Sequence, residues 1–317
     1  MIIQRMTSPF HTTLAQHLQG VARLTTLGVI RAQGEDAAKF LHGQLTQDVA
    51  LLGQHDARLA AFCSAKGRML ASFTLFKRGP DDIFLVCSQD ILAPTLKRLS
   101  MFVLRAKAKL SDASADWAVY GLAGSAVSAT VADGSTAIKT DIGDATRILL
   151  SPAGSVPRAL WVAPAGSAPP AGDALSLDLW QWGSVHSGIA PITAPVVEAY
   201  VPQMLNYESV GGVNFQKGCY PGQEVVARSQ FRGTLKRRGY LVHCDAPLAA
   251  GQEVFHDGDA TQPCGTVAFA AAAPTGGADA VVSLQVAAAS GGALTLGAAD
   301  GPGLTLLPLP YPLLDDI

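Results

Sequence analysis

Short apolar runs set apart by glycine turns fill the carboxy-terminal third of this chain, and that pattern constrains its fold more than any other feature. Gly265-Thr266-Val267-Ala268-Phe269, residues 280–286 and residues 304–307 are each long enough for one strand and too short for a helix that stands alone. Strands at this spacing predict a small β-barrel beyond residue 236. The Ala/Gly-rich stretch 270–278 reads as a loop within it.

Upstream the period changes. Ala38, Leu41, Leu45, Val49 and Leu52 recur every three or four residues, which predicts an amphipathic helix over 34–52 with this stripe facing the core. Residues 73–76 and 83–87 are β-rich runs joined by Lys77-Arg78-Gly79-Pro80-Asp81-Asp82, a hairpin pattern. Helical spacing returns over 91–103, entered after Asp90. Pro164-Ala165-Gly166-Ser167-Ala168-Pro169-Pro170 is a loop by composition. This irregular mixture predicts an α+β fold and not the regular alternation of a doubly wound sheet, and no G-x-G-x-x-G run marks a dinucleotide site. At 317 residues the chain has room for two or three domains.

Composition removes several classes of function. Hydrophobic residues make up 49% of the chain, but they are dispersed among glycines and charges. No apolar run approaches the roughly 18 residues that suggest a membrane span. The first twenty residues carry Arg5 as their one fixed positive side chain and lack the apolar core of a secretory signal, so a cytoplasmic location is expected. A net charge of −2 gives no general attraction to nucleic acid. One local cluster stands out: Arg228, Arg232, Lys236, Arg237 and Arg238 fall within eleven residues. They are either a solvated basic face or a contact for an anionic group. The five cysteines at 63, 87, 219, 244 and 264 form neither a C-x-x-C knuckle nor a disulfide framework, and the histidines show no H-E-x-x-H spacing. No stable metal site is expected. His42 and His186 read as structural histidines.

Residues 217–224, Lys-Gly-Cys-Tyr-Pro-Gly-Gln-Glu, hold the cysteine with the most chemical character. Thiolate is the reactive form of cysteine, and both an adjacent ammonium and the positive end of a helix favour it. Lys217 supplies the first. Pro221 at a first helical position, with residues 224–228 continuing the turn, would supply the second. Gly218 and Gly222 let the backbone approach a neighbour closely. The same residues also suit a plain tight turn around a small buried thiol, and their chemistry alone leaves both readings open.

That octet, with Val225-Val226-Ala227-Arg228-Ser229-Gln230-Phe231-Arg232-Gly233 after it, resembles the signature of the YgfZ family of folate-binding proteins, relatives of the aminomethyltransferase (T-protein) of the glycine cleavage system. Further blocks share the resemblance: Gln44-Leu45-Thr46-Gln47-Asp48-Val49, Ala65-Lys66-Gly67-Arg68, and Tyr200-Val201-Pro202-Gln203-Met204-Leu205-Asn206 with Gly211-Gly212-Val213. The resemblance implies a three-domain cloverleaf around a central folate-binding opening. An amino-terminal α+β domain would cover 1–110, a middle α+β domain with the cysteine motif 111–235, and the barrel 236–317.

It also implies tetrahydrofolate or a derivative as ligand, and a role in assembly or repair of iron–sulfur clusters in client enzymes; the charge and the lack of a long apolar run make a direct nucleic-acid or membrane partner unexpected. Cys219 would be the working residue and Lys217 its activator. Gln223 and Glu224 would orient the turn, while Arg228 would bind an anion or pair with Glu224. Trp180 or Trp182 would stack on the pterin, and Tyr220 would face the opening. The chain departs from the T-protein pattern where it matters for catalysis. Ala71 and Ser72 stand where T-proteins carry paired aspartates, and their Gly-Tyr-Thr-Gly-Glu run is absent, so aminomethyl transfer is not expected. A one-carbon transferase using another acid or base, and a factor for tRNA modification, are the alternatives.

Overall fold

The computed structural model describes residues 9–130, 137–231, 235–259 and 261–314. From the amino terminus run α1 (Pro9–His17), β1 (Gly20–Arg23), β2 (Leu27–Gln33), α2 (Ala37–His42), β3 (Ala57–Cys63), β4 (Met69–Gly79), β5 (Asp82–Ser88), α3 (Gln89–Ser100) and β6 (Lys109–Asp112). Strands β2 to β6 form an antiparallel sheet in the order β3-β4-β5-β2-β6. The expected hairpin is the β4–β5 pair, with Phe76 opposite Phe84.

A second sheet follows from β7 (Trp117–Ala123), α4 (Ser125–Ser128), β8 (Lys139–Ile142), β9 (Ala145–Ala153) and β10 (Val156–Pro164). Its order is β1-β7-β10-β9-β8. Residue 110, expected as a domain boundary, falls inside β6, and β1 leaves the first segment to pair with β7. The reason is that β1 has its hydrogen-bonding partners on β7 and not on its sequence neighbours.

Beyond α5 (Leu177–Val185) and α6 (Gln223–Phe231), six strands close a barrel: β11 (Arg237–Cys244), β12 (Glu253–His256), β13 (Gly265–Ala272), β14 (Ala278–Gln285), β15 (Leu294–Leu296) and β16 (Gly303–Leu307). Closure gives every strand two neighbours and removes the exposed edge that short strands otherwise present. The stretch 270–278, expected as a loop throughout, is strand at 270–272 and again at 278, with the reversal confined to 273–277. Alanine fits here because β13 pairs along its length with β14.

The helix expected over 34–52 ends at His42. Its apolar stripe is nonetheless core: Leu41, Leu45, Val49 and Leu52 are all buried. After His42 the chain turns and joins β3, where Thr46 N–H donates to Ala61 and Leu45 bridges Phe62. Backbone groups that a longer helix would have used internally are taken by the sheet. Among the described residues, no helix is long and apolar enough to cross a membrane.

One large core unites the parts, including Val29 and Phe62 of the first sheet, Val119 and Leu160 of the second, and Ala268 and Val281 of the barrel. A polar clasp reinforces it. Asp279, buried on β14, accepts from Trp182 Nε1 at 2.6 Å and pairs with His186 Nε2 at 2.7 Å, both through Oδ2. Its Oδ1 pairs with His243 Nδ1 at 2.7 Å. Burial by itself would raise this carboxyl, but the bonds from His186, Trp182 and His243 outweigh it and hold the group below the usual carboxylate range. The carboxylate therefore contributes stability above its unfolded pKa, about 3.9, that is lost as pH falls through the lower folded value. Asp279→Ala should cost about 3–5 kcal/mol at neutral pH, because it leaves buried donors without their acceptor. The variant should also lose less of its remaining stability in acid than the native chain does. Urea unfolding at neutral and acid pH checks both, and an unchanged midpoint at neutral pH would rule out the clasp.

Candidate functional site

The cysteine turn is held by its lysine. Lys217 is buried, and its Nζ donates to the carbonyl oxygens of His42, at the end of α2, and of Leu45 at 2.7 Å. The ammonium also lies 4.8 Å from the centre of the Tyr220 ring. Burial pulls Lys217 down to about 8, against the upward pull of negative charge at Asp48 and Cys219. Sequence reasoning makes Lys217 an activator of the thiol. Its contacts make it first a clamp, with Cys219 within its electrostatic reach.

Two glycines set the other side. Gly222 has φ +81°, and a Cβ there would run into Ser64 O and stand 2.6 Å from Gly67 Cα. Gly67, at φ +71°, faces it from the turn between β3 and β4, where a Cβ would sit 2.9 Å from Val225 Cβ. Only residues without side chains allow this approach. Arg68 Nη1 donates to Ala199 O, and Met69 N–H donates to Tyr200 O at 2.8 Å. Gln203 Nε2 donates to Val226 O at 2.7 Å, tying the 200–206 block to α6. Thr46 Oγ1 donates to Gly212 O at 2.7 Å. All four sequence blocks thus converge on the turn that carries Cys219.

The helix following the turn differs from expectation. It begins at Gln223, two residues after Pro221. Gln223 N–H donates to Tyr220 O, while the N–H groups of Val225 and Val226 donate to Gly222 O. Those early donors are spent inside the turn. Glu224 pairs with Arg228 at 2.8 Å on the exposed face, an i,i+4 contact worth about 0.3–0.5 kcal/mol, and the Gln223 backbone makes the orienting contact in the turn.

Cys219 is exposed, whereas Cys63, Cys87, Cys244 and Cys264 are buried. Burial pushes the Cys63 and Cys87 thiols up to about 12. Beside the turn sits a pair that sequence reasoning missed as a unit. His42 Nδ1 lies 3.0 Å from Asp48 Oδ1, and a Cβ on Gly218 would lie 3.4 Å from His42 Nε2. Burial alone would raise Asp48, but the Leu51 N–H and then His42 hold its carboxyl below the ordinary range, with Arg58 adding to the effect. A helix running to residue 52 would have turned residues 42 and 48 away from one another, which hid the pair.

The expected stacking residues lie elsewhere. Trp180 and Trp182 are 5% and 2% exposed, so both rings belong to the core. Trp180 packs over Gly121, where a Cβ would be 2.5 Å from the ring, with the Arg158 guanidinium 4.2 Å from its centroid. Trp182 is committed to Asp279 and to an edge contact with His186. Neither indole offers an open face to a pterin. Tyr220 is buried as well, with Lys217 against its ring.

A cavity of about 180 Å³ beside Ser187 and Tyr311 falls below the roughly 300 Å³ at which small-molecule sites begin. Trp180, Trp182 and Tyr220, the residues expected to hold folate, do not line it. Ala71 and Ser72 are buried on β4, with Ser72 Oγ accepting from Ile192 N–H at 2.9 Å, and supply no carboxylate.

The basic cluster disperses. Arg238 turns inward to Glu208 at 2.8 Å, Arg237 donates to Cys264 O, and Arg228 holds Glu224, while Arg232 lies outside the described residues. Among the described residues, no three His, Cys, Asp or Glu side chains gather as metal ligands.

No family model matches the chain. Over 325 aligned residues it is 31% identical to the tRNA-modifying protein YgfZ of Edwardsiella ictaluri, covering 96% of each chain. It is 30% identical to the protein of the same name from Photorhabdus laumondii, covering 91% of each. An uncharacterized protein of Haemophilus influenzae is 31% identical over 69% of this chain and 71% of its own. Among solved structures, the glycine cleavage system aminomethyltransferase T of Bartonella henselae superposes with a TM-score of 0.66 at 16% identity, over 96% of this chain and 91% of that one. The fold is T-protein-like, with a closed six-stranded barrel in its carboxy-terminal region.

Two outcomes follow from the turn. Brief alkylation near neutral pH should modify Cys219 before the other four cysteines, because it alone is exposed; peptide mapping checks this, and a different first site contradicts it. Gly222→Ala should cost about 1–3 kcal/mol through its positive φ and its contact with Gly67, read as a lowered melting temperature.

Proposed function

The chain belongs to the family of the tRNA-modifying protein YgfZ, and on that premise we propose that it is a tetrahydrofolate-binding accessory protein supporting assembly or repair of iron–sulfur clusters in client enzymes, with Cys219 as the working thiol. The observation that carries the thiol part is the contrast at the turn: one exposed cysteine, on backbone anchored by Lys217, Gly67 and Gln203, against four buried ones. A rigidly placed, reachable thiol suits transfer or exchange. A single cysteine cannot hold a cluster alone, so the remaining ligands would come from a partner or a small thiol, and contact with the cluster would be transient.

The T-protein-like fold supports the folate part, without the indoles of Trp180 and Trp182 as stacking platforms. Reduced folate binding, measured by calorimetry, should therefore survive Trp180→Phe. Aminomethyl transfer is disfavoured because Ala71 and Ser72 offer no acid or base within reach of a substrate nitrogen. The tRNA modification for which the relatives are named enters indirectly, since some enzymes of that chemistry are themselves iron–sulfur clients. The near-neutral charge gives no basis for direct RNA contact.

Cys219→Ala should abolish support of client iron–sulfur enzymes in cells lacking the native chain, with melting temperature and folate affinity unchanged. The turn's shape comes from its glycines and Lys217 and not from sulfur. Full client activity in this variant would eliminate the thiol mechanism.

A further inference from the structure

We propose that the turn just past α3, with Met101, Phe102 and Leu104 at its tip and lysine and arginine around them, docks onto an acidic face of a partner protein that has an apolar centre. The three side chains are 67%, 46% and 85% exposed, and they fall within four consecutive residues. A single exposed apolar side chain is ordinary on a protein surface, whereas a group of them marks a contact site.

The backbone holds this tip in place. Met101 N–H donates to Lys97 O, Phe102 N–H to Leu99 O and Val103 N–H to Ser100 O, so the helix ends in a closed turn. Val103 and Ala106 pack against the core, and Lys107 N–H donates to Asp36 Oδ2 at 2.8 Å. Fastened on both sides, the turn presents Met101, Phe102 and Leu104 outward on a fixed base.

Charge names the kind of partner. Lys97, Arg98, Arg105, Lys107 and Lys109 flank the tip, and residues 91–111 contain no aspartate or glutamate. All five cations are exposed. Among the described residues Lys107 alone of the five pairs with an acid, Glu35 at 2.5 Å. In a chain of net charge −2 this is a local positive excess, and the surface that complements it is negative.

Other occupants fit less well. A second copy offering the same patch would set cations against cations. RNA supplies phosphates for the basic residues but no apolar surface for Met101 and Leu104. A helix that lies on a bilayer needs its apolar stripe free, and α3 has Ile91, Leu92 and Leu99 buried in the core. A protein face can meet both parts, since Met, Phe and Arg are enriched where proteins join and charge gathers at the rim. This surface stands independently of the role given to Cys219.

Leu104→benzoylphenylalanine in the full chain, irradiated in cells, tests the inference. One discrete protein adduct should form, and the partner peptide carrying the crosslink should hold more acidic than basic residues. Arg98→Glu combined with Arg105→Glu should cut that adduct at least about tenfold, through like-charge repulsion. Arg98→Lys with Arg105→Lys keeps the charge and should retain it, while Met101→Ser should weaken it. Irradiation in cell extract at raised salt should lower the adduct without any further substitution, so the charge dependence is read even where a variant fails to fold. Leu51→benzoylphenylalanine is the control, at a side chain 74% exposed on the loop leading into β3, the opposite edge of the sheet from β6, and should not give the same adduct. No adduct, one that survives both charge reversal and salt, one formed with lipid, RNA or a second copy of this chain, or the same adduct from residue 51 overturns the inference.

Discussion

A buried ammonium must find acceptors or give up its charge, and Lys217 finds them on the carbonyls of His42 and Leu45. That requirement orders much of the molecule around it. The carbonyls are available only because α2 stops at His42 and the chain turns toward β3. In return the lysine ties a turn near residue 219 to a segment some 170 positions earlier. Tyr220 closes over the same ammonium. With Lys217 occupied in this way, Cys219 is left as a reachable group on a fixed frame.

The glycine contact is the complement of that clamp. Attraction at Lys217 draws the turn in, and the bare backbones of Gly67 and Gly222 let it come all the way. Either constraint alone would leave the turn free to pivot about one attachment. Together with Gln203 on Val226 O, they set its position from three sides. The barrel is fastened by a similar device farther off, where Asp279 gathers two histidines and an indole from outside its own strand. Both devices bury polar groups and satisfy them by hydrogen bonds, which favours a specific arrangement over a merely compact one.

The same economy explains why the expected ligand contacts moved. A tryptophan is attractive both as a stacking surface and as core filler. In α5 the second use prevails, because Gly121 leaves space for Trp180 and Asp279 offers an acceptor to Trp182. The basic run after α6 breaks up for a related reason. On the barrel strand β11 successive side chains point in opposite directions, so Arg238 is carried inward to Glu208 while its neighbours are not.

Local pattern in the sequence determined the hairpin of β4 and β5, the barrel, the core identity of Leu41, Leu45, Val49 and Leu52, and the choice of the Lys217–Glu224 turn as the place to look. Strand period, glycine punctuation and apolar spacing act over a few residues, and a few residues suffice to read them. The end of α2, the pairing of β1 with β7, the burial of both indoles and the meeting of His42 with Asp48 beside Gly218 were decided by tertiary structure alone. Each depends on a partner far away in the chain: a lysine that takes two helix-end carbonyls, a strand that completes another sheet, an aspartate that claims an indole. Contacts of that kind arise only when the folded chain brings distant residues together and burial makes their polar groups compete for partners, and no local period records the outcome.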